Sequence, residues 1–477
     1  MHRHPTRLTQ ALAAAGLLCA SLAGQPVFAQ AITLEQLAKK LEAVERQNAE
    51  LLQKVQRLEG EQNKQATQVQ QQAQAVQKAQ ETATAVATAA ATAAATATAT
   101  ANATTASARS ADGPATVISG YGEIGYSRPS KSAKDTNVDV SRAVLGIQHR
   151  FDSNTKVVAE FEWEHAIVSA GDKGEAEVEQ LWVEREFGPG LRARAGLFLM
   201  PVGLINQNHE PTAYYGVFRP DVDTKIVPST WREVGLGLAG DTANGLTWDV
   251  AVTTVPNLSK WDPASTEGRV RGPLAATHGE GQFAAARDLG VVGALNWRGV
   301  PGLLVGGSMF YGKLGHQTTG FLGNDSKLLL LDVHARYQIA GFDLSGEYIR
   351  GTISNTEALN ASYAASATPN PTLVPQLFYG GYVQAAYKVW QRADYTLAPF
   401  ARYEVLNTAA GFGSLPVSAG GIKSPTETII TVGANFRIGE GVVLKADYRN
   451  NRRNKLPDTE EHFNLGNSFN LGVGFSF

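Results

Sequence analysis

Two hydrophobic periods divide this chain. From about residue 117 to the end, apolar and polar side chains alternate with a period of two, the pattern of β-strands with two unlike faces. The last ten residues show it plainly: Phe469, Leu471, Val473, Phe475 and Phe477 alternate with small or polar residues. In Lys156–His165, Val157, Ala159, Phe161 and Trp163 share one face and Glu160, Glu162 and Glu164 the other. Residues 191–199 repeat the logic with Arg192 and Arg194. Leu397, Ala401, Tyr403 and Val405 alternate with Phe400, Arg402 and Glu404; Ile430, Val432, Ala434 and Phe436 with Thr431, Asn435 and Arg437; Val442, Leu444, Ala446 and Tyr448 with Lys445, Asp447 and Arg449. About sixteen such strands can be drawn, enough for a transmembrane antiparallel β-barrel with an apolar outside and a polar inside. Short Gly/Pro turns (188–190, 299–302, 340–341) alternate with long polar connections (201–231, 256–284, 354–375, 407–424).

Before the barrel the period is that of a helix. Leu34, Leu41, Asn48 and Val55 fall at one heptad core position, and Leu37, Val44, Leu51 and Leu58 at the other. Charged residues and glutamines fill the outside, so residues 30–80 are expected to form an α-helical coiled coil. Asn48 at a core position costs stability and fixes register. Residues 81–113 are almost all Ala and Thr, a linker or a thin continuation of the coil. Residues 1–29 have the make-up of an export signal: Arg3 and Arg7, an apolar run from Ala11 to Ala23, and small residues at Val27-Phe28-Ala29. The expected order is therefore signal peptide (1–29), periplasmic coiled coil (30–80), linker (81–113) and barrel (114–477).

Composition narrows the function. The one cysteine, Cys19, lies in the signal, and Leu18 before it argues against a lipid anchor. Disulfides and thiolate metal sites are then excluded from the mature chain. A net charge of −2 with no strongly basic stretch gives no footprint for nucleic acid. No segment after the signal carries about 18 uninterrupted apolar residues, so spanning helices are not expected. Two glycine runs, Gly120–Gly125 and Gly235–Gly240, match a dinucleotide fingerprint, but both sit inside strand patterns. The histidines show no metal-ligand pair at helical or strand spacing. Neither a metal nor another cofactor is expected, and no catalytic residue can be assigned.

The run Phe187–Gly203, with Pro399–Glu404 and the terminal Phe477, resembles the phosphate-selective porin O and P family of bacterial outer membranes. The resemblance implies a sixteen-stranded, commonly trimeric barrel in outer-membrane lipid that passes small solutes passively. The stalk departs from the plain barrel and is similar to the arm of some sugar porins. Phosphate selectivity is not carried over, since a phosphate channel needs a dense cationic ladder. Here Arg192, Arg194, Arg402, Arg437, Lys445 and Arg449 share the inner faces with Glu160, Glu162, Glu164, Glu404 and Asp447. A mixed lumen suits polar or zwitterionic solutes, or weak selectivity for either ion sign. Residues 201–231, with His209, Glu210, Tyr214, Arg219, Asp221, Asp223 and Lys225, either fold inward to narrow the lumen or form a plain external loop. Two alternatives stand beside a diffusion porin: a structural tether whose stalk contacts the cell wall, and an outer-membrane barrel hydrolase.

Overall fold

The computed structural model describes residues 115–188, 190–413, 425–453 and 466–477, with Glu42, Gln53 and Gln56. Those three residues are helical and exposed; the export signal, the coiled-coil core positions and the linker lie outside the described residues. The chain divides into two units, residues 1–108 and 109–477.

The second unit is a closed antiparallel barrel. Its strands are β1 Thr116–Pro129, β2 Asn137–Arg150, β3 Thr155–Glu164, β4 Ala176–Gly188, β5 Leu191–Leu199, β6 Arg232–Asp241, β7 Leu246–Thr253, β8 Gly290–Trp297 and β9 Leu303–Lys313. The rest are β10 Lys327–Ile339, β11 Phe342–Ser354, β12 Leu377–Tyr387, β13 Trp390–Arg392, β14 Tyr395–Gly411, β15 Glu427–Ile438, β16 Val442–Arg453 and β17 Ser468–Ser476. The short β13 pairs with β14, as β12 does, and so continues the β12 stave; the barrel has sixteen staves. Each stave pairs with its neighbour in sequence. β17 closes on β1 from Tyr121↔Ser476 to Pro129↔Ser468, and Gly120 and Phe477 exchange backbone hydrogen bonds of 3.1 and 2.9 Å. Closure leaves no strand edge unpaired, the condition for a β-structure in lipid. Among the described residues no helix is long and apolar enough to cross a membrane.

The alternation read from the sequence becomes the two wall surfaces. Leu471, Val473, Tyr403, Val432 and Leu444 are exposed on the outside, whereas Arg402, Glu404, Thr431, Asn435, Lys445 and Asp447 are buried within. Gly302 shows why the turns at one end are so short. Its φ is +78°, and a Cβ there would lie 2.1 Å from the Gln338 carbonyl oxygen.

One expectation changes. Strand β14 runs through 407–411, so the connection after it begins at 412 rather than 407. Tyr121 and Trp182 face inward. Tyr121 is 3% exposed, and the Trp182 indole donates to Gln180 Oε1 at 3.1 Å. Their positions share the inward parity of Glu123 and Glu184, which outweighs aromatic character. Trp163, Trp297 and Trp390 remain on the outside.

Candidate functional site: the lumen and the segment that crosses it

Residues 200–231 join β5 to β6, and they enter the barrel. Pro201, Pro211, Pro220 and Pro228 interrupt strand hydrogen bonding along them. The base is closed locally: Asn206 donates to the carbonyls of Met200 (2.8 Å) and Trp231 (2.9 Å) and accepts from Trp231 N (2.7 Å). Beyond the base, wall side chains satisfy the segment's own backbone, as buried amides and carbonyls require. Gly203 N donates to Asp332 and Leu204 N to Glu347, each at 3.3 Å. Val217 N donates to Asp447 at 2.6 Å and Asp221 N to Glu404 at 2.7 Å. In return, Arg437 reaches Thr212 O (2.6 Å), Asn435 reaches Tyr214 O (3.1 Å), and Arg402 reaches Tyr215 O (3.1 Å) and Phe218 O (3.3 Å). Partners thus come from β10 and β11 as well as from β14, β15 and β16. Gly216, at φ +86°, also approaches the wall closely: a Cβ would meet the Phe400 ring at 3.1 Å and Asp447 at 3.2 Å.

Charges follow the same contacts. Arg402 pairs with Glu404 at 2.8 Å, both fully buried. Asp221 is held by Arg449 and by Lys225 (3.0 Å), and Lys225 also meets Glu427 at 3.0 Å. Burial disfavours the charges of Asp221 and Lys225, yet these opposite partners hold the carboxyl well below its usual range and the ammonium above it. Asp223 has no such partner. Burial first, then Glu404 and Asp332, push its carboxyl up to about 8, and neither of its oxygens has a hydrogen bond. Tyr214 donates to Glu123 at 2.6 Å, and the buried Lys445 ammonium stands 3.6 Å from its ring centroid. Burial and then Glu123 hold the Tyr214 hydroxyl well above its ordinary range.

Of the other residues singled out from the sequence, Glu162 is buried and pairs with Arg142 at 3.2 Å, while Glu164 is half-buried, 3.8 Å from the same guanidinium. Glu160 is half-buried beside Gln180. Arg192 pairs with Asp241 at 2.5 Å and Arg194 with Asp249 at 2.8 Å, both towards the short-turn end of the wall. Arg219 is buried and donates to Ser229 Oγ at 2.7 Å. His209 contacts Glu179 and Tyr121, whereas Glu210 is exposed. Sequence reasoning missed Glu123, Arg142, Glu179, Asp343 and Glu347 as inward residues. Inward parity would have found most of them. Glu179 gave no such signal, because a bulge between β3 and β4 places it beside Gln180 on the same face.

Two cavities border Tyr214. One, of about 330 Å³, is lined by Glu123, Arg142, Arg219, Asp221, Lys445 and Arg449 among others. The second, of about 400 Å³, lies towards the short turns and includes Gln207, Arg298, His334, Arg336, Ser345 and Gln384.

No family model matches the chain. An uncharacterized protein of Aquifex aeolicus (strain VF5) is 29% identical over 336 residues, which is 69% of this chain and 74% of that one. Among solved structures, Salmonella typhi OmpF in complex with daunomycin superposes with a TM-score of 0.54 at 14% identity, over 76% of this chain and 97% of its own. The outer-membrane channel DcaP of Acinetobacter baumannii gives 0.48 at 11% identity, over 76% and 97%. The barrel has the sixteen-stranded fold of an outer-membrane porin.

Proposed function

We propose that the chain is an outer-membrane porin through which small hydrophilic solutes or ions diffuse passively, narrowed by residues 200–231. One observation carries this reading: the segment is bonded to inward side chains of β10 and β11 as well as of β14, β15 and β16, with cavities of about 330 and 400 Å³ both bordered by Tyr214. A loop fixed in this way sets the pore radius, and the groups around it set selectivity. Arg142, Arg219, Lys445 and Arg449 line the first cavity together with Glu123, Asp139 and Asp221, a mixed lining that favours polar or zwitterionic solutes over a strong preference for one ion sign. Phosphate is not the reading favoured here. The resemblance to the phosphate-selective family supports the passive mode of transport, and the heptads support three chains joined by a periplasmic stalk.

Single-channel recording in planar bilayers, with the reversal potential under a salt gradient, tests this. Current steps in groups of three with a small reversal potential are expected; a folded barrel that never conducts overturns it. Removing residues 31–110 should leave conductance per barrel unchanged. Detachment of the membrane from the cell wall on that deletion, with a silent barrel, would instead support a tether.

A further inference from the structure

Glu160 on β3, Glu179 on β4 and His209 on the crossing segment each bring one ligand atom to a common point, all within 4.8 Å of one another. They are far apart in sequence, so no spacing rule could have joined them. The β-bulge between β3 and β4 turns Glu179 into the lumen next to Gln180. Bulges commonly re-aim a side chain in this way.

Each of the three is held from behind. His209 Nδ1 lies 3.0 Å from the Asn206 carbonyl, which can only accept, so Nδ1 carries a hydrogen and Nε2 is turned to the cluster. One Glu160 oxygen accepts from Gln180, whose own amide oxygen accepts from the Trp182 indole at 3.1 Å. The Tyr121 hydroxyl, with one hydrogen to give, stands 2.8 Å from His209 Nε2 and 3.3 Å from Glu179 Oε2, so a cation on Nε2 leaves that hydrogen to Glu179. Outer partners that fix the orientation of a ligand are a hallmark of metal sites.

Glu179 supplies the second, independent sign. It is 0% exposed, and its Oε1 has no hydrogen-bond partner. Among the described residues the one basic side chain within 4 Å of it is His209, whose Nε2 lies 3.1 Å from Oε1 and pairs as an ion only when the ring is doubly protonated. Of the nearby guanidiniums, Arg142 pairs with Glu123 and Glu162, Arg232 pairs with Glu177 and Glu280, and Arg219 donates to Ser229; among the described residues none lies within 4 Å of a Glu179 oxygen. A wholly buried carboxylate oxygen of this kind calls for a cation.

We propose that Glu160, Glu179 and His209 bind one divalent transition-metal ion of the Zn²⁺ type, fastening the crossing segment to the wall. One imidazole and two carboxylates suit such an ion better than Mg²⁺ or Ca²⁺, which favour all-oxygen sites. With bonds of about 2.0–2.2 Å, tetrahedral ligand atoms stand roughly 3.5 Å apart. Glu179 and His209 already meet that spacing, and Glu160 needs a small side-chain movement. A fourth position is left to water.

The test uses full-length, tag-free trimer or monomer in detergent, titrated calorimetrically with ZnCl₂ and in parallel with MgCl₂. Expected are one Zn²⁺ per chain, an affinity at least tenfold weaker in Glu160→Gln, and no site in His209→Ala. Because His209→Ala leaves Glu179 alone and can misfold, Glu160→Gln is the deciding variant, its fold checked by heat-dependent gel mobility. Amide exchange over residues 203–210 should slow with Zn²⁺ in the wild type and not in Glu160→Gln. Equal Zn²⁺ binding by wild type and Glu160→Gln, equal binding of Mg²⁺, or Zn²⁺ binding without slowed exchange would each overturn the assignment.

Discussion

Arg402 bonds to four groups at once: Glu404, the carbonyls of Tyr215 and Phe218, and Gln384 Oε1 at 3.3 Å. Removing it strands Glu404 with a buried charge and leaves two segment carbonyls unmet. Arg402→Met should therefore cost roughly 3–5 kcal/mol, read as a lower urea midpoint, and Arg402→Met with Glu404→Gln should recover part of that loss. Asp223 gives a pH dependence with a definite sign. Its carboxyl is raised from about 4 to about 8 in the fold. The unfolded chain gives up this proton first, so its stabilisation is complete below about pH 4, declines as pH rises, and is gone above about 8. Asp223→Asn should gain on the wild type in urea midpoint across that window, with a constant difference beyond it. A difference that does not change with pH would show that Asp223 is charged throughout. Neither effect was legible beforehand: the sequence marked Arg402 as inward and Asp223 as part of a polar connection whose path stayed open, and only the fold shows which one is partnered.

The crossing segment is attached to the wall without being part of it. Its two ends are neighbours, since Leu199 pairs with Arg232 across β5 and β6. Replacing residues 203–225 by a short Gly/Ser linker should therefore leave the strand ladder intact and raise single-channel conductance several-fold, because pore radius governs flow. An unchanged conductance in a folded variant would place the narrowest point elsewhere. At this scale the sequence was most informative where one rule governs a whole strand. Period two located β3, β5, β14, β15, β16 and β17 and their faces. It failed where the rule is locally suspended, at the bulge that turns Glu179 inward and at the end of β14. The path of residues 200–231 stayed open too, because an inward fold depends on partners more than a hundred residues away, such as Asp332 and Asp447.

At the level of the whole molecule, closure of β17 on β1 converts alternation into a membrane signature. A sheet closed in this way must turn its apolar side chains outward when inward positions hold charges such as Arg402, Lys445 and Asp447. Val432 sits midway along β15 on that outward face, 47% exposed. In water an exposed valine tolerates arginine with little change. In lipid the same substitution at mid-depth costs about 2–4 kcal/mol. Val432→Arg should therefore lower the urea midpoint of protein folded in lipid vesicles. Ser345→Arg, which points a new charge into the second cavity, should leave that midpoint nearly unchanged while altering conductance and reversal potential. The pair separates the two faces of one wall: stability responds on the outside because lipid cannot solvate the charge, and conduction responds on the inside because water can. Equal, small effects at both positions would mean that neither face meets hydrocarbon, and the channel reading would fail with the membrane one.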